Sequence, residues 1–297
     1  MSKTYKIAGI GELLWDVLPE GRQLGGAPCN FAFHSLQAGI DSYVVSAVGK
    51  DTDGEDILHV MDQLELTRSF VQITPDYPTG TVTVKLDQAG IPDYIIHEDV
   101  AWDHIQWSEE IELLAKDVDA VCFGSLAQRN TVSKKTMVRF LEYTKPDCLR
   151  VFDINLRQTF YNPEGIVESL EFANVLKLNE DELPIVGEFL GYNGDEESLL
   201  LQIMENYHLQ LIAYTKGSLG SLLVTREGKS FCKVPVIEVA DTVGAGDSFT
   251  AILVAGMLNG IELKTIHYTA TDVAAYVCTQ HGATPTIPEK IIKSVKI

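Results

Sequence analysis

After Trp102, short apolar segments with the composition of buried strands alternate with longer segments of helical spacing. This alternation constrains the fold more than any other feature of the chain. Strands that are separated by helices pair in parallel, and helices then cover both faces of the sheet. We therefore expect an α/β protein with a largely parallel sheet. Strands are predicted at residues 120–123, 149–152, 175–178, 211–214 and 222–225, and helices at residues 109–116, 134–143, 163–170, 180–189, 196–207, 247–258 and 263–279.

The first hundred residues contain one departure from this pattern. Residues 70–96 show two-residue alternation on either side of a turn, which is typical of paired strands. Together with the turn-rich residues 12–24, they predict a small β-element inserted into an α/β chain. We expect one domain over residues 1–297, with inserted segments at about 12–24 and 70–100. Elsewhere in this region, strands are predicted at residues 5–9 and 42–48 and helices at residues 27–38 and 53–66.

The composition excludes a disordered or collagen-like chain and argues against a nucleic-acid partner. The hydrophobic fraction of 45% and the charged fraction of 22% are ordinary for a globular chain. The net charge of −19 argues against a nucleic-acid partner, because binding to phosphates needs clustered Lys and Arg. A polyanionic ligand would therefore need local features such as backbone N–H groups, a few placed cations or Mg²⁺.

The cysteines, the histidines and the N-terminus point to one cellular compartment. The five cysteines are scattered without a C-x-x-C pair, which is typical of reduced thiols. The seven histidines lack the spacing of a zinc site. The N-terminus has no signal-peptide apolar region, and no apolar run approaches the length of a membrane span. We expect a soluble cytoplasmic protein with no membrane partner.

Residues 241–258 have the sequence of a helix that begins at a glycine pair. Gly244 and Gly246 precede Asp247, and an apolar run with helical spacing follows. Glycine costs about 1 kcal/mol relative to alanine inside a helix, so two at its start need a reason. One reason is that backbone N–H groups approach an anion at the positive helix end, with Asp247 facing it. The alternative is a tight turn in which Asp247 only complements the helix dipole.

Polar residues follow five of the predicted strands or connections. In an open α/β sheet, ligands lie beyond the carboxyl ends of the strands. A single polar group there would be explained as a helix cap, but five at one edge of the sheet indicate a ligand site. The groups are Gly124-Ser125, Asp153 to Arg157, Asn179 to Glu182, Thr215 to Gly220 and Asp241 to Asp247.

The residue types in these groups suit phosphoryl transfer. Gly217 and Gly220 suggest backbone approach to phosphates, as does the glycine pair that opens the last helix of the set. Asn179 and Glu182 could hold Mg²⁺ through its waters, although the same pair also fits a helix cap with a capping box. Asp247 beside a glycine-built anion site suits a general base for an acceptor hydroxyl. The chain has neither a Walker A motif nor the dinucleotide fingerprint.

Four motifs resemble those of the ribokinase-like (PfkB) family of carbohydrate kinases, in the family's order along nearly the whole chain. Asp241 to Asp247 resembles the second signature, with its anion hole and catalytic aspartate, and Gly25 to Asn30 resembles the first signature, at the sugar site. Asn179-x-x-Glu182 resembles the magnesium and phosphate motif, and Thr215-x-Gly217-x-x-Gly220 resembles the nucleotide-contacting motif. The resemblance implies a three-layer α/β/α fold with a small β-lid, which in this family often forms a dimer interface. We therefore expect a homodimer through the lid.

Carried over to this chain, the resemblance implies an ATP-dependent sugar kinase with Asp247 as general base. The backbone N–H groups of Ala245, Gly246 and Asp247 would form the anion hole, in the loop that begins at Gly244. The residues implied for the sugar are Asp16, Gly25, Gly26, Asn30, Arg157 and Asp247, and those for the nucleotide are Asn179, Thr215, Gly217, Gly220 and Gly246.

The resemblance also implies metal ions. Mg²⁺ would be held through water by Glu182 and Asn179. Members of the family that use a monovalent cation such as K⁺ bind it beside the second signature. The residues implied for that cation are Asp241, Val243, Gly282 and Thr286, of which Val243 could contribute only its backbone carbonyl.

The motifs of the substrate region resemble those of bacterial-type fructokinases, which implies D-fructose as acceptor and fructose 6-phosphate as product. These motifs are Gly11-Glu12-x-x-x-Asp16, Pro78 to Thr81, Val100 to Asp103 and Asp153-x-Asn155-x-Arg157. The last of them also occurs in relatives that act on 2-keto-3-deoxygluconate, and nucleoside kinases share the core motifs. Acceptors such as 2-keto-3-deoxygluconate, ribose or a nucleoside therefore stay open.

Two functions of other classes compete with a sugar kinase. A non-catalytic sugar- or nucleotide-sensing protein on the same fold is disfavoured by the intact Asp247 and glycine pair. An NAD(P)-dependent enzyme is disfavoured by the absence of the dinucleotide fingerprint. A phosphosugar acceptor is disfavoured because the inserted segments carry few basic residues.

Overall fold

The structure is a computed structural model that describes residues 4–18, 21–86 and 92–296. The predicted inserted segments include residues 19–20 and 87–91, which lie outside the described residues. The strands are β1 (Lys6–Ile10), β2 (Leu14–Leu18), β3 (Gly21–Gly25), β4 (Asp41–Gly49), β5 (Val71–Thr74), β6 (Gly80–Leu86), β7 (Pro92–Ile96), β8 (Ala120–Phe123), β9 (Leu149–Asp153), β10 (Val175–Asn179), β11 (Leu211–Thr215), β12 (Ser221–Thr225) and β13 (Lys229–Cys232). The helices are α1 (Ala27–Gln37), α2 (Thr52–Gln63), α3 (Glu109–Asp117), α4 (Thr131–Tyr143), α5 (Pro163–Phe172), α6 (Glu182–Leu190), α7 (Glu196–Asn206), α8 (Ala245–Leu258), α9 (Leu263–Cys278) and α10 (Glu289–Ile292).

Nine strands form a large central sheet in the order β13-β12-β11-β10-β9-β8-β1-β4-β5. From β11 to β5, every pair of neighbouring strands is parallel. β12 pairs antiparallel with β11, and the edge strand β13 pairs antiparallel with β12. The carboxyl ends of the parallel strands therefore lie along one edge of the sheet, where ligand sites of such sheets occur.

Helices cover both faces of this sheet and create two separate cores. Successive residues of a strand point to opposite faces, so on β1 Ile7 belongs to one core and Ala8 to the other. The first core is packed by α1, α2, α8, α9 and α10, and the second by α3 to α7. This arrangement confirms the predicted three-layer α/β/α fold with a mostly parallel central sheet.

Capping side chains set the helix starts. Asn130 accepts a hydrogen bond from the N–H group of Val132 at 2.9 Å. This cap starts α4 at Thr131, three residues before the predicted start, because it satisfies a backbone donor that the helix itself cannot pair. Asp51 caps α2 in the same way through the N–H group of Gly54 at 2.8 Å. Within the described residues, no helix is both long enough and apolar enough to cross a membrane.

A second sheet of four strands has the order β3-β2-β6-β7. It corresponds to the predicted β-element, but its boundaries differ from the predicted segments. Val71–Thr74, inside the predicted segment 70–100, pairs instead with β4 in the large sheet, where Val71 lies opposite Ser46. The segment follows α2, so it continues the strand–helix–strand order of the large sheet. The turn-rich residues before α1 also contain β3, which pairs with β2.

Candidate active site

A cavity of about 1200 Å³ lies at the carboxyl ends of the parallel strands. The small sheet forms one of its walls through Leu14, Val82 and Ile96. This volume exceeds the usual range for one small molecule, so the cavity has room for a sugar and a nucleotide together. Most of the predicted site residues line it, namely Asp16, Gly26, Asn30, Arg157, Asn179, Thr215, Gly217, Gly220, Asp241, Val243, Gly244, Ala245, Gly246 and Asp247.

Asp247 contacts Asn30 across the cavity wall. The Nδ2 group of Asn30 donates a hydrogen bond to Oδ2 of Asp247 at 2.8 Å. The two residues are 217 positions apart in the sequence and come from the first turns of α1 and α8. The structure thus joins the residue predicted to be the base to a residue predicted to bind the sugar.

The electrostatic surroundings make Asp247 a stronger base than an ordinary aspartate. Burial raises the pKa of Asp247 to about 6, and the nearby charge of Asp153 acts in the same direction. The hydrogen bond from Asn30 and the positive charges of Lys177 and Arg157 oppose this rise. The carboxyl group is therefore mostly ionised at neutral pH and holds a proton at moderately acidic pH.

The start of α8 combines a left-handed residue with free backbone donors. Gly244 has φ 77° and is the N-cap of α8, and a Cβ atom there would lie 2.6 Å from the backbone oxygen of Ala283. No side chain of residues 4–18, 21–86 or 92–296 caps the helix. Among the described residues, the N–H groups of Gly246 and Asp247 have no hydrogen-bond acceptor, while that of Ala245 donates to Thr242 at 3.3 Å. Two of the three donors predicted for the anion hole are thus available to a ligand.

A buried lysine, Lys177, lies beside this helix start and is not among the residues predicted for the site. A Cβ atom on Gly246 would lie 2.9 Å from Nζ of Lys177, so the glycine leaves room for the ammonium group. Nζ of Lys177 donates to Oδ1 of Asp153 at 2.9 Å, and Thr250 of α8 donates to Oδ2 of Asp153 at 3.0 Å. Burial opposes the lysine charge, but the carboxylates of Asp153 and Glu182 raise the pKa of Lys177 overall. The feature of the sequence that could have indicated this residue is a single charge inside the otherwise apolar strand Val175–Asn179.

Asp16 and Arg157, two of the residues predicted for the sugar, both line the cavity. Burial raises the pKa of Asp16 to about 6, the charge of Arg157 lowers it, and Asp241 raises it. Gly25 does not line the cavity but lies behind Asp16, because a Cβ atom there would overlap Oδ2 of Asp16. Arg157 is exposed, and Nη1 of its guanidinium donates to the backbone oxygen of Leu156 at 3.2 Å, which leaves its other N–H groups for a ligand.

Asn179 and Glu182 form a reciprocal helix cap. Oδ1 of Asn179 accepts from the N–H groups of Asp181 and Glu182 at 2.9 and 3.0 Å. The carboxylate of Glu182 accepts from the N–H groups of Asn179 and Leu156 at 2.8 and 3.0 Å. Glu182 is buried and does not line the cavity. It therefore does not fit a direct metal ligand, and it fixes Asn179 at the cavity instead.

The cavity rim beside this cap still suits Mg²⁺ held through water. Asn179, Glu180 and Asp181 line the cavity, and one buried carboxylate oxygen of Glu180 has no partner among the described residues. Mg²⁺ keeps several waters and uses few direct protein ligands. In the described part of the chain, no group of three or more His, Cys, Asp or Glu side chains is arranged to hold a metal ion. The rim thus fits a metal ion that the phosphate groups of a ligand coordinate and that the protein contacts through water.

Three of the residues predicted for a monovalent cation, Asp241, Val243 and Gly282, contact one another just before α8, whereas the contact of Thr286 is with Tyr276 of α9. Oδ1 of Asp241 accepts from the N–H group of Val243 at 3.0 Å, and Oδ2 accepts from that of Gly282 at 3.2 Å. The backbone oxygen of Thr286 accepts from the hydroxyl of Tyr276 at 3.3 Å. Gly282 and Thr286 do not line the cavity. Each carboxylate oxygen of Asp241 keeps a second lone pair, so the donor types fit a cation that oxygens bind.

Comparison with known proteins agrees with this geometry. Residues 16–290 match the family described as pfkB family carbohydrate kinase. A putative sugar kinase, PH1459 of Pyrococcus horikoshii, is 30% identical over 94% of this chain and 92% of that protein. A fructokinase of Salmonella typhimurium is 28% identical over 95% of this chain and 96% of that protein.

Two solved structures show the same fold. The crystal structure of PH1459 in complex with ATP has a TM-score of 0.81 and 26% identity, and covers 97% of this chain and 99% of that chain. A fructokinase double mutant from Vibrio cholerae O395, with fructose, ADP and a potassium ion bound, has a TM-score of 0.82 and 20% identity over the full length of both chains. The fold and the site define a sugar kinase. The chain belongs to the pfkB family of carbohydrate kinases.

Proposed function

We propose that this chain transfers the γ-phosphoryl group of ATP to a hydroxyl group of D-fructose and produces fructose 6-phosphate. The observation that carries the proposal is the 2.8 Å hydrogen bond from Asn30 to Asp247. It joins a carboxylate of α8, beside two N–H groups that have no acceptor among the described residues, to a residue predicted to bind the sugar. The 28% identical fructokinase of Salmonella typhimurium supports the choice of sugar.

Asp247 is the general base of this mechanism. Its carboxylate accepts the proton of the acceptor hydroxyl as that oxygen attacks the γ-phosphorus. A pKa raised to about 6 makes proton transfer more favourable than to a solvated aspartate, and the group stays ionised near neutral pH. Asn30 holds the carboxylate in place through its side-chain amide.

The start of α8 stabilises the charge of the transferring group. The N–H groups of Gly246 and Asp247 lie at the positive end of the helix dipole and have no acceptor in the part of the chain that the structure describes. The ammonium group of Lys177 lies beside Gly246 and, besides the hydrogen bond that it donates to Asp153, has further N–H donors for the transferring group. The third predicted donor is the N–H group of Ala245. It would bind the transferring group only after releasing the backbone oxygen of Thr242.

The nucleotide would lie along Asn179, Thr215, Gly217 and Gly220, which line the same cavity. The Asn179–Asp181 rim would hold Mg²⁺ through its waters. When bound, the metal supplies charge neutralisation for the phosphate groups. We also propose a K⁺ site at Asp241, Val243, Gly282 and Thr286, a homodimer through the small sheet, and a cytoplasmic location.

A second acceptor class has one observation in its favour. The guanidinium of Arg157 lines the cavity and is exposed to it. Guanidinium groups bind carboxylates through two parallel hydrogen bonds, so a sugar acid such as 2-keto-3-deoxygluconate is the alternative to fructose.

An ADP-release assay with a panel of acceptors tests the proposal. The purified protein is supplied with ATP, Mg²⁺ and, separately, fructose, ribose, 2-keto-3-deoxygluconate, fructose 1-phosphate or adenosine. We expect the highest kcat/KM with fructose, and an isomerase-coupled assay should detect fructose 6-phosphate. A higher kcat/KM with the sugar acid would overturn the choice of sugar. No release above background with any acceptor would favour the non-catalytic sensing protein.

A further inference from the structure

Glu12 is a buried carboxyl group in the cavity wall to which the mechanism assigns no task. It follows β1, has a relative exposure of 4% and lines the cavity. Oε1 of Glu12 accepts a hydrogen bond from the N–H group of Ala27 at 3.3 Å. Oε2 is buried and has no hydrogen-bond partner among the described residues. Such an atom is costly in a folded protein unless something else pairs with it.

The neighbouring Asn30 leaves a second acceptor unused. Its Nδ2 group donates to Asp247, whereas its Oδ1 atom is buried without a partner in the described part of the chain. Both unpaired atoms belong to residues that line the cavity. A ligand that satisfied both would have to present at least two hydrogen-bond donors, as adjacent hydroxyl groups of a sugar do.

The charges around Glu12 bear on which ligand it suits. Burial raises the pKa of Glu12 to about 7, the negative charge of Asp247 acts in the same direction, and Arg157 lowers it. The carboxyl group of Asp16 lines the same cavity. An anionic ligand group placed against Glu12 would be repelled, whereas a neutral hydroxyl would not.

We propose that Glu12 is a sugar-binding and specificity-determining residue, whose Oε2 atom accepts a hydrogen bond from a non-reacting hydroxyl of a neutral sugar. Oδ1 of Asn30 accepts from a second hydroxyl. This inference rests on the proposed sugar kinase activity and deepens it. The role of Glu12 in holding the first residue of α1 uses only Oε1, so it leaves the burial of Oε2 unexplained.

The variant Glu12→Gln separates the two roles. The glutamine keeps an oxygen for the N–H group of Ala27 and replaces the other oxygen by an amide donor. We expect KM for fructose to rise by about 10- to 100-fold, the range for loss of a hydrogen bond to a charged group. KM for ATP should stay within about twofold. Glu142→Gln, an exposed carboxylate on α4, is the control and should match the wild type.

Deoxy analogues of fructose give a readout that a structural role would not change. The wild-type enzyme should lose about 10-fold or more in kcat/KM when the hydroxyl paired with Glu12 is removed. Glu12→Gln should no longer discriminate against that one analogue, while it still discriminates against the others. If Glu12→Gln does not fold, Glu12→Asp, which withdraws the carboxylate by one methylene, is measured against the same analogues and should show the same loss of discrimination.

The failure of this inference can be told apart from failure of the proposed function. Wild-type turnover of fructose, with wild-type KM and discrimination in Glu12→Gln, would overturn the inference alone. If no sugar is turned over, calorimetric titration of fructose into wild type and Glu12→Gln decides the role of Glu12, because equal affinities would overturn it and weaker binding by the variant would support it. No binding of any sugar by the wild type would overturn both.

Discussion

Nζ of Lys177 lies 2.9 Å from Oδ1 of Asp153, and the two side chains are 10% and 6% exposed. The residues are partners in the register of β10 with β9, so the contact is a cross-strand ion pair in the centre of the sheet. Thr250 donates to the other oxygen of Asp153 and ties the pair to α8. The helix that carries Asp247 therefore packs against a buried pair of opposite charges.

Replacement of Lys177 should destabilise the protein strongly. Lys177→Met leaves the carboxylate of Asp153 buried without its counter-charge, and we expect the free energy of unfolding to fall by about 3–5 kcal/mol. The matched control is Lys145→Met, which removes a more exposed ion pair with Asp119 and should cost about 1 kcal/mol or less. Urea unfolding measures both. Equal losses in the two variants would contradict the assigned importance of the buried pair.

Replacement of Asp247 should abolish most of the turnover and leave nucleotide binding intact. In Asp247→Asn the amide cannot accept the hydroxyl proton, so we expect kcat to fall by about 10²–10⁴. Steady-state kinetics with fructose and titration of ATP measure the two properties. Asp272→Asn, an exposed carboxylate on α9, is the control. Near-wild-type kcat in Asp247→Asn would rule out the general-base role.

The rate should depend on pH through Asp247. The base acts only when ionised, and its pKa is raised to about 6, so kcat should be constant above this pH and fall as the pH drops through it. Lys177 lowers the pKa of Asp247. The break in the profile should therefore move to higher pH in Lys177→Met. A profile that falls only near pH 4, the ordinary aspartate range, would be inconsistent with this assignment.

Replacement of Gly244 by alanine should lower the free energy of unfolding by more than backbone strain alone would. Gly244 and Gly260 both have positive φ, 77° and 63°, but only a Cβ atom on Gly244 would overlap a neighbour, Ala283. We expect Gly260→Ala to cost about 1 kcal/mol from backbone strain, and Gly244→Ala to cost about 1–3 kcal/mol more from overpacking. Thermal unfolding of both variants gives the comparison. If Gly244→Ala were as stable as Gly260→Ala, Ala283 would move aside at no cost in stability, and the expected overpacking would be wrong.

Much of the fold could be predicted from apolar runs. The predicted strands at residues 120–123, 149–152, 175–178 and 211–214 all occur, each within one residue of its predicted end. The sheet that each strand joins was harder to predict. Residues 71–74 were grouped with the inserted element because two-residue alternation identifies a strand but not the sheet that it joins. The pairing of β5 with β4 depends on where α2 returns the chain.

The candidate site was predictable where one short segment carries the chemistry. The glycine pair and Asp247 lie within seven consecutive residues, so their spacing alone indicated a helix start that suits an anion and a base. Lys177 was not identified, because a single charged residue in a strand has no spacing to interpret, and Glu12 appeared only within a substrate motif, with no role of its own. Their partners, Asp153 and Ala27, are 24 and 15 positions away in the sequence.

The sequence by itself determined the alternating elements, the three-layer fold that follows from them, and the residue types at each strand end. It did so because hydrophobic period and helix-start chemistry are local properties of the chain. Only the tertiary structure decided which of these ends meet. Register placed Lys177 opposite Asp153, helix packing brought Asn30 to Asp247, and burial in the shared cavity raised the pKa of Asp247. Those contacts join residues that are far apart in the sequence. The strength of the interaction between two charges depends on their separation in space, which only the folded structure fixes.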